Sequence, residues 1–317
     1  MAINRVEIKN ILVFTGEFTC DFCPGINVII GGNGTGKTTL MKSVYMQHTE
    51  KKLEIMDDTV INDDILIANS IINNRFSSNG TLNNEKSEIK YYSIEGSIKD
   101  MVYIPVTEML SHSKGFLELS YKYELPFDKM QIDILINAGL PITRKITQNA
   151  EKLIGKIKKI IDGEVLYEGG EYYILKNSGL RVDFSLEASG FQKFGLLWKL
   201  LRNGLLESGS VLFWDEPEAS INPELLPVLA DILLELQRGG VQVFIATHSY
   251  NLARYFDVNR NQKDNVMFYN LSKNDSGGIK CVSAQDYTNL PENILDQADE
   301  KLFKAVVANV MEVQPDE

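Results

Sequence analysis

The 317-residue chain holds only three cysteines. Cys20 and Cys23 stand as an isolated C-x-x-C with no second pair, whereas a tetrahedral zinc site takes four ligands. The pair therefore reads as two small residues in an edge strand or turn. An odd, low cysteine count with no leader segment points to a reducing cytoplasm. The opening MAINRVEIKN alternates apolar and polar residues and carries Glu7, which suits a strand and not a signal peptide. No run of about 18 apolar residues occurs, so no membrane-spanning helix is expected. An excess of positive charge is also lacking. The formal net charge is −11, which argues against a uniformly basic nucleic-acid surface and leaves a local basic patch open. Internal repeats at solenoid periods are missing. No segment sustains several heptads, so long coiled-coil arms are excluded.

What is present suits one large α/β domain or a domain with a sizeable insertion: 44% hydrophobic and 24% charged residues, ordinary for a globular chain. Residues 2–31 read as short strands with turns at TGE and CPG. A helix is predicted from Lys37 to about Gln47, with Leu40, Val44 and Met41, Tyr45 at i,i+4 spacing. Residues 48–88 are rich in Asn, Asp and Ser and read as a loop or hairpin insertion, with SSNGTLNNEKS as its most turn-like part. MVYIP at 101–105 is a core strand. Residues 109–162 read as helical. Their last piece, about 147–161, sets Ile146, Ala150, Leu153, Ile154, Ile157 and Ile161 on one face and Lys152, Lys156 and Lys159 opposite. Hairpin-like strands follow at 164–184. The order then becomes α/β, with helices at about 190–204, 223–237 and from 249, and strands at 210–214 and 241–246. Two strands around KNDSGG and a helix at about 297–312 close the chain.

Against this background IIGGNGTGKTTLMK, residues 29–42, is the densest chemical signal. Gly31-x4-Gly36-Lys37-Thr38 has the full spacing of a phosphate-binding loop. Bare backbone N–H groups can turn inward around a phosphate, and the following helix aims its positive end at the same anion. Asn33, Gly34, Thr35, Gly36, Lys37, Thr38 and Thr39 are the candidate contacts to ATP. Lys37 would reach the β- and γ-phosphates, and the Thr38 hydroxyl would ligate Mg²⁺. VLFWDEPEASINP, residues 211–223, places Asp215 at the carboxyl end of an apolar strand, where it would join the Mg²⁺ shell. Glu216 points the other way and could polarise an attacking water. Asn222-Pro223-Glu224 is a helix start. A third strand ends in Thr247-His248-Ser249. His248 could reach a γ-phosphate or the attacking water, or it is a packed, satisfied histidine.

These motifs, in this order, resemble the ABC-type ATPase superfamily, and within it the soluble branch that includes RecF, SMC and OLD-like proteins. The resemblance covers residues 1–47 and roughly 100–275. It rests on GGNGTGKTT and VLFWDEPE, on EASINP as a D-loop and on ATHS as a switch histidine. It implies an ABC-ATPase-like P-loop fold of the α/β class. The core sheet would be mostly parallel, with an N-terminal antiparallel β subdomain and an inserted helical subdomain. The expected organisation is an ATPase core of residues 1–47 and 163–275 with a core strand at 100–106. A polar insertion spans 48–99, a helical subdomain 109–162, and a C-terminal strand and helix 276–317.

The resemblance also assigns a signature motif to LEASGFQKFGLLWKLL. Ser189 and Gly190 would complete the site of a second copy, so that ATP joins a head-to-tail homodimer. The form is ASGFQ and not the transporters' LSGGQ. A helix start can donate N–H groups to a γ-phosphate the first copy leaves uncovered. The family's glutamine after a core strand is missing. Similar soluble ATPases carry a proline-then-glutamate pattern there, which makes Glu108 a third candidate metal ligand; His112 reads as incidental. The implied function is a Mg²⁺-dependent ATPase switch acting on a separate effector protein, with DNA possible and no membrane. A membrane transporter's nucleotide-binding subunit and a DNA-binding ATP sensor with negligible turnover are the alternatives. An OLD-type nuclease domain is not expected: only some forty residues follow the last apparent core strand and they hold no dense carboxylate cluster, so a nuclease activity would come from another chain.

Overall fold

A computed structural model describes residues 2–56, 88–94, 98–123, 127–274, 277–291 and 293–312. The hairpin-like stretch 77–87 lies outside the described residues. The N-terminal alternation yields β1 (Ala2–Ile11) and β2 (Phe14–Asp21), which pair antiparallel. A third strand, β4 (Glu88–Ile94), joins the other edge of β1 in the register Val6↔Tyr91 and Ile8↔Ile89. That strand was not expected inside a polar insertion. Its partner lies some eighty residues away, and pairing at that range leaves little local imprint.

Among the described residues the central sheet has six strands, in the order β12-β11-β3-β10-β9-β5. They are β3 (Ile26–Gly31), β5 (Met101–Ile104), β9 (Val211–Asp215), β10 (Gln242–Ala246), β11 (Val266–Lys273) and β12 (Ile279–Ala284). All pair parallel except β12, which runs antiparallel to β11. Every residue of β3, β5, β9 and β10 is buried. That is why these segments read as unbroken apolar runs: a parallel sheet is covered on both faces. On one face Val28, Ile30, Leu212, Trp214, Val243 and Ile245 join the larger core. On the other, Ile29, Phe213, Phe244 and Tyr269 pack with β1, β2 and helix α1 (Lys37–Met56).

Helix α1 runs nine residues past the predicted stop at Gln47. Nothing from His48 to Met56 is Gly or Pro, and Glu, Lys and Leu favour helix. The predicted helical stretch 109–162 divides into a 3₁₀ turn at Leu110–His112, α2 (Phe116–Tyr123), α3 (Lys129–Gly139) and α4 (Gln148–Ile160). Thr147 caps α4 by accepting from the Ala150 N–H, and Ala150, Leu153 and Ile157 are buried as the periodicity predicts. Lys152, on the opposite face, pairs with Glu235 at 3.2 Å. A three-stranded sheet, β6 (Gly163–Glu168), β7 (Glu171–Lys176) and β8 (Arg181–Asp183), leads into α5 (Ser189–Arg202). Then follow α6 (Leu226–Arg238), α7 (Tyr250–Asn259) and α8 (Ile294–Glu312). All three cysteines are free thiols, with Cys20 buried and its sulfur 3.3 Å from that of Cys281. Among the described residues no helix is long and apolar enough to cross a membrane.

Candidate functional site

Strand order decides where the chemistry gathers. β10 lies between β3 and β9, with Ala246 level with both Ile29 and Asp215. The carboxyl ends of the three strands therefore open side by side, and each carries one of the motifs. The ladder continues past them: Thr247 N–H donates to Ile29 and Glu216 N–H to Ala246, at 3.0 and 2.9 Å.

β3 leaves the sheet through the glycine loop. A Cβ on Gly31 would stand 2.4 Å from the Leu271 carbonyl oxygen of β11, and one on Gly36 would stand 2.7 Å from the Phe14 ring. At both places the loop backbone lies where a side chain cannot. Asn33 and Gly34 are exposed at the loop tip, Thr35 is buried and donates to the Gly32 carbonyl, and Thr39 is half-buried. Lys37 is buried, and its Nζ donates to the carbonyls of Gly31 and Gly32 at 2.9 and 3.1 Å. Burial pulls its pKa down, while Asp215, Glu216 and Glu218 push it up. The ammonium thus waits in the cradle of the loop.

The Thr38 hydroxyl donates to Asp215 Oδ2 at 2.8 Å, and the buried Tyr103 hydroxyl donates to the same oxygen at 3.3 Å. Asp215 is 4% exposed. Burial raises its pKa, and the hydrogen bonds from Thr38 and Tyr103 lower it. A buried carboxylate beside a threonine hydroxyl is a hard-oxygen donor set of the kind Mg²⁺ takes together with phosphate oxygens. Those two residues fit the ion.

Glu216 turns the chain sharply, with φ of +46°. This left-handed conformation costs a non-glycine residue roughly 1–2 kcal/mol. Its carboxylate Oε1 lies 3.7 Å from His248 Nε2, and both side chains are about one-third exposed. Glu218, two residues on, accepts from the Thr247 hydroxyl at 2.7 Å and from the His248 N–H at 3.0 Å. Lys193 on α5 donates from Nζ to the carbonyls of Glu216 and Pro217 at 2.9 and 3.3 Å.

The structure therefore brings Lys37, Thr38, Asp215, Glu216 and His248 together. It sets Ser189 and Gly190 at the start of α5, where Gly190 adjoins Ser220 and Ile221. Ser189 is exposed, and Ala188 before it supplies no side-chain cap to the start of this helix. Glu108 goes elsewhere. Its Oε1 accepts from Leu110 N–H at 2.5 Å, and its Oε2 accepts from the Ser111 N–H at 3.1 Å and from the Ser111 hydroxyl. Both oxygens cap the 110–112 turn, so the structure gives the Glu108 carboxylate local partners and not Asp215 or Thr38.

Tyr103, Lys193 and Glu218 are the residues that sequence reasoning missed. Tyr103 is the one polar-tipped side chain in MVYI, and Lys193 interrupts the apolar stripe of its helix. Each oddity is visible, but neither names its partner. Beside Thr38 and Thr39, a pocket of about 170 Å³ opens between the β1–β2 turn and α1, lined also by Ile11, Leu12, Lys42 and Met46.

A family model described as an AAA domain matches residues 5–178. A second, whose description couples an AAA domain with the AbiEii toxin and Type IV TA systems, matches residues 122–254. The arginine transport ATP-binding protein ArtP of Haemophilus influenzae is 24% identical over 256 residues, 78% of this chain and 84% of that protein. An SMC head bound to the C-winged helix domain of ScpA matches with a TM-score of 0.51 at 13% identity, over 91% of this chain and 99% of that one. The SMC head domain from Thermotoga maritima gives 0.47 at 13% identity, over 90% and 99%. The structural match shows that the chain has the fold of an SMC head. The chain belongs to the AAA-domain family, whose model spans more than half of it.

Proposed function

We propose that this protein is a Mg²⁺-dependent ATP hydrolase whose catalytic unit is a head-to-tail pair of identical chains. One observation carries the reading: Lys37, Thr38, Asp215, Glu216 and His248 converge from three adjacent strand ends. The loop 31–39 wraps the triphosphate with its N–H groups, and Lys37 exchanges its two carbonyl partners for β- and γ-phosphate oxygens. The pocket at Leu12 and Met46 takes the nucleoside. Thr38 and Asp215 hold Mg²⁺, which supplies charge neutralisation at the phosphates. Glu216 accepts a proton from the water that attacks the γ-phosphorus as the β–γ bridging bond breaks. His248, 3.7 Å from Glu216, hydrogen-bonds the same water or the departing phosphoryl group.

The uncapped start of α5 at Ser189 and Gly190 covers the γ-phosphate of a second copy. ATP then closes the pair, and hydrolysis opens it. Such a switch acts on a separate effector in the cytoplasm, a nuclease or toxin in bacterial defence or a DNA-repair partner. The family description that couples AAA domains with Type IV TA systems favours defence. The relative ArtP favours a second reading, a transporter's nucleotide-binding subunit; recovery with a membrane protein on purification distinguishes it.

The test is Glu216→Gln. With ATP and Mg²⁺ this variant should hydrolyse at least roughly a hundredfold more slowly than wild type. It should elute as a dimer in light-scattering chromatography and revert to monomer when ATP is omitted. A monomer at saturating ATP and high protein concentration sinks the shared-site reading.

A further inference from the structure

We propose that Lys193 is a positioning residue for Glu216, holding the turn that aims this carboxylate. The inference rests on the reading of Glu216 as the group that polarises water. Lys193 is 7% exposed, within the buried stretch of α5. Its Nζ reaches past the helix to two consecutive carbonyls, those of Glu216 and Pro217. Glu216 is the residue with φ of +46°. Its peptide groups are thereby pinned on both sides: the N–H by the Ala246 carbonyl, the C=O by Lys193. The carboxylate direction follows from that backbone, because the left-handed turn sets where Cβ points.

A lysine suits the task for two reasons. Its ammonium carries three donors, enough to hold two carbonyls at once. Its charge also faces Glu218, Glu216 and Asp215, which offset part of the cost of burying it. Burial brings its pKa down to about 8, a strain that plain packing would avoid with an apolar residue. Lys199, two turns on, is also buried, but desolvation and Arg202 both push its pKa down and no acid opposes them. Of the two buried lysines of α5, Lys193 is the one that faces acids.

The test compares wild type, Lys193→Met, Glu216→Gln and the double variant. Met matches the length of the lysine stem and removes the donors. Lys193→Met should lower kcat by roughly ten- to a hundredfold, the scale set by misplacing a catalytic group by about an ångström. The dissociation constant for a non-hydrolysable ATP analogue should stay within about threefold and the melting temperature within a few degrees. In the Glu216→Gln background the Met substitution should lower the residual rate no further, since Lys193 acts through Glu216. An unchanged kcat overturns the assignment. So does a matching loss of analogue binding and melting temperature, which makes Lys193 a packing residue. An equal fold-loss in both backgrounds also overturns it. If wild type hydrolyses no ATP, the ATPase reading itself fails and this proposal falls with it; the other outcomes leave that reading standing.

Discussion

Two turns leave the central sheet on either side of β10, and they obtain their shapes by opposite means. β3 exits through Gly31–Gly36, where Gly31, Gly34 and Gly36 take φ of +151°, +72° and +91°. There the backbone conformation is written in the composition of the loop itself. β9 exits through Glu216–Ser220, where Glu216 and Ser220 take φ of +46° and +62°. Neither is glycine, so this turn is held from outside by the Ala246 carbonyl, by Lys193 and by the Glu218 bridge to Thr247 and His248. On the proposed function, the difference follows from chemistry. A phosphate cradle uses peptide N–H groups and can discard side chains. An acid–base position needs its carboxylate, so glycine is barred and the surrounding fold carries the strain.

The sharpest way to break the comparison is to put a side chain into the first turn. Gly31→Ala sets a Cβ 2.4 Å from the Leu271 carbonyl and 2.8 Å from Thr35 Oγ1. The Leu271 carbonyl is backbone in a parallel sheet and has little freedom to retreat. We expect a loss of about 3 kcal/mol in urea unfolding and loss of ATP binding by calorimetry. An alanine variant that binds ATP normally would show that close backbone approach is not what the glycine provides.

The same contrast explains what could be read in advance. The loop 31–38 was legible because its signal is local: glycine spacing, an apolar strand before, an apolar-periodic helix after. The strand ends at Asp215 and His248 were legible for the same reason, as unbroken apolar runs that stop at a polar residue. Support for the second turn was not. Lys193 and Tyr103 meet the acidic turn through partners 23 and 112 residues away, and no local pattern encodes such a meeting. β4 was hidden likewise, since pairing with β1 defines it. Glu108 is the converse case: a family position suggested a metal ligand, and the local sequence also suits the turn cap it makes to Ser111.

A smaller effect separates the two turns by charge. Asp215 is buried with its pKa raised by desolvation, so the free protein bears a cost for keeping this carboxylate charged. Both the folded and the unfolded carboxyl hold their protons well below the ordinary value of about 3.9, and the cost is absent there. It develops as pH rises through the raised folded value. Asp215→Asn should therefore come closest to wild type in stability at low pH and exceed it at pH 7, while ATP hydrolysis is lost. Paired urea titrations at the two pH values check the sign; a variant less stable at pH 7 than wild type would mean the Thr38 and Tyr103 hydrogen bonds outweigh desolvation.

The finest cut falls on Glu216 itself. Glu216→Gly and Glu216→Ala both delete the carboxylate, so both should abolish hydrolysis, and activity cannot distinguish them. Stability can. Alanine keeps a Cβ in the left-handed conformation, and glycine does not. Glycine gains more freedom in the unfolded chain, which works against it by somewhat less than the relief of strain. The glycine variant should come out more stable than the alanine variant by about 0.5–1 kcal/mol, with equal urea slopes. At Gly36, also at positive φ, a Cβ would add a clash of 2.7 Å with Phe14, so there alanine loses for two reasons. Equal stabilities at position 216 would mean that Lys193 and Ala246 hold a turn that was never strained, and the two strand ends would then differ in side chains alone.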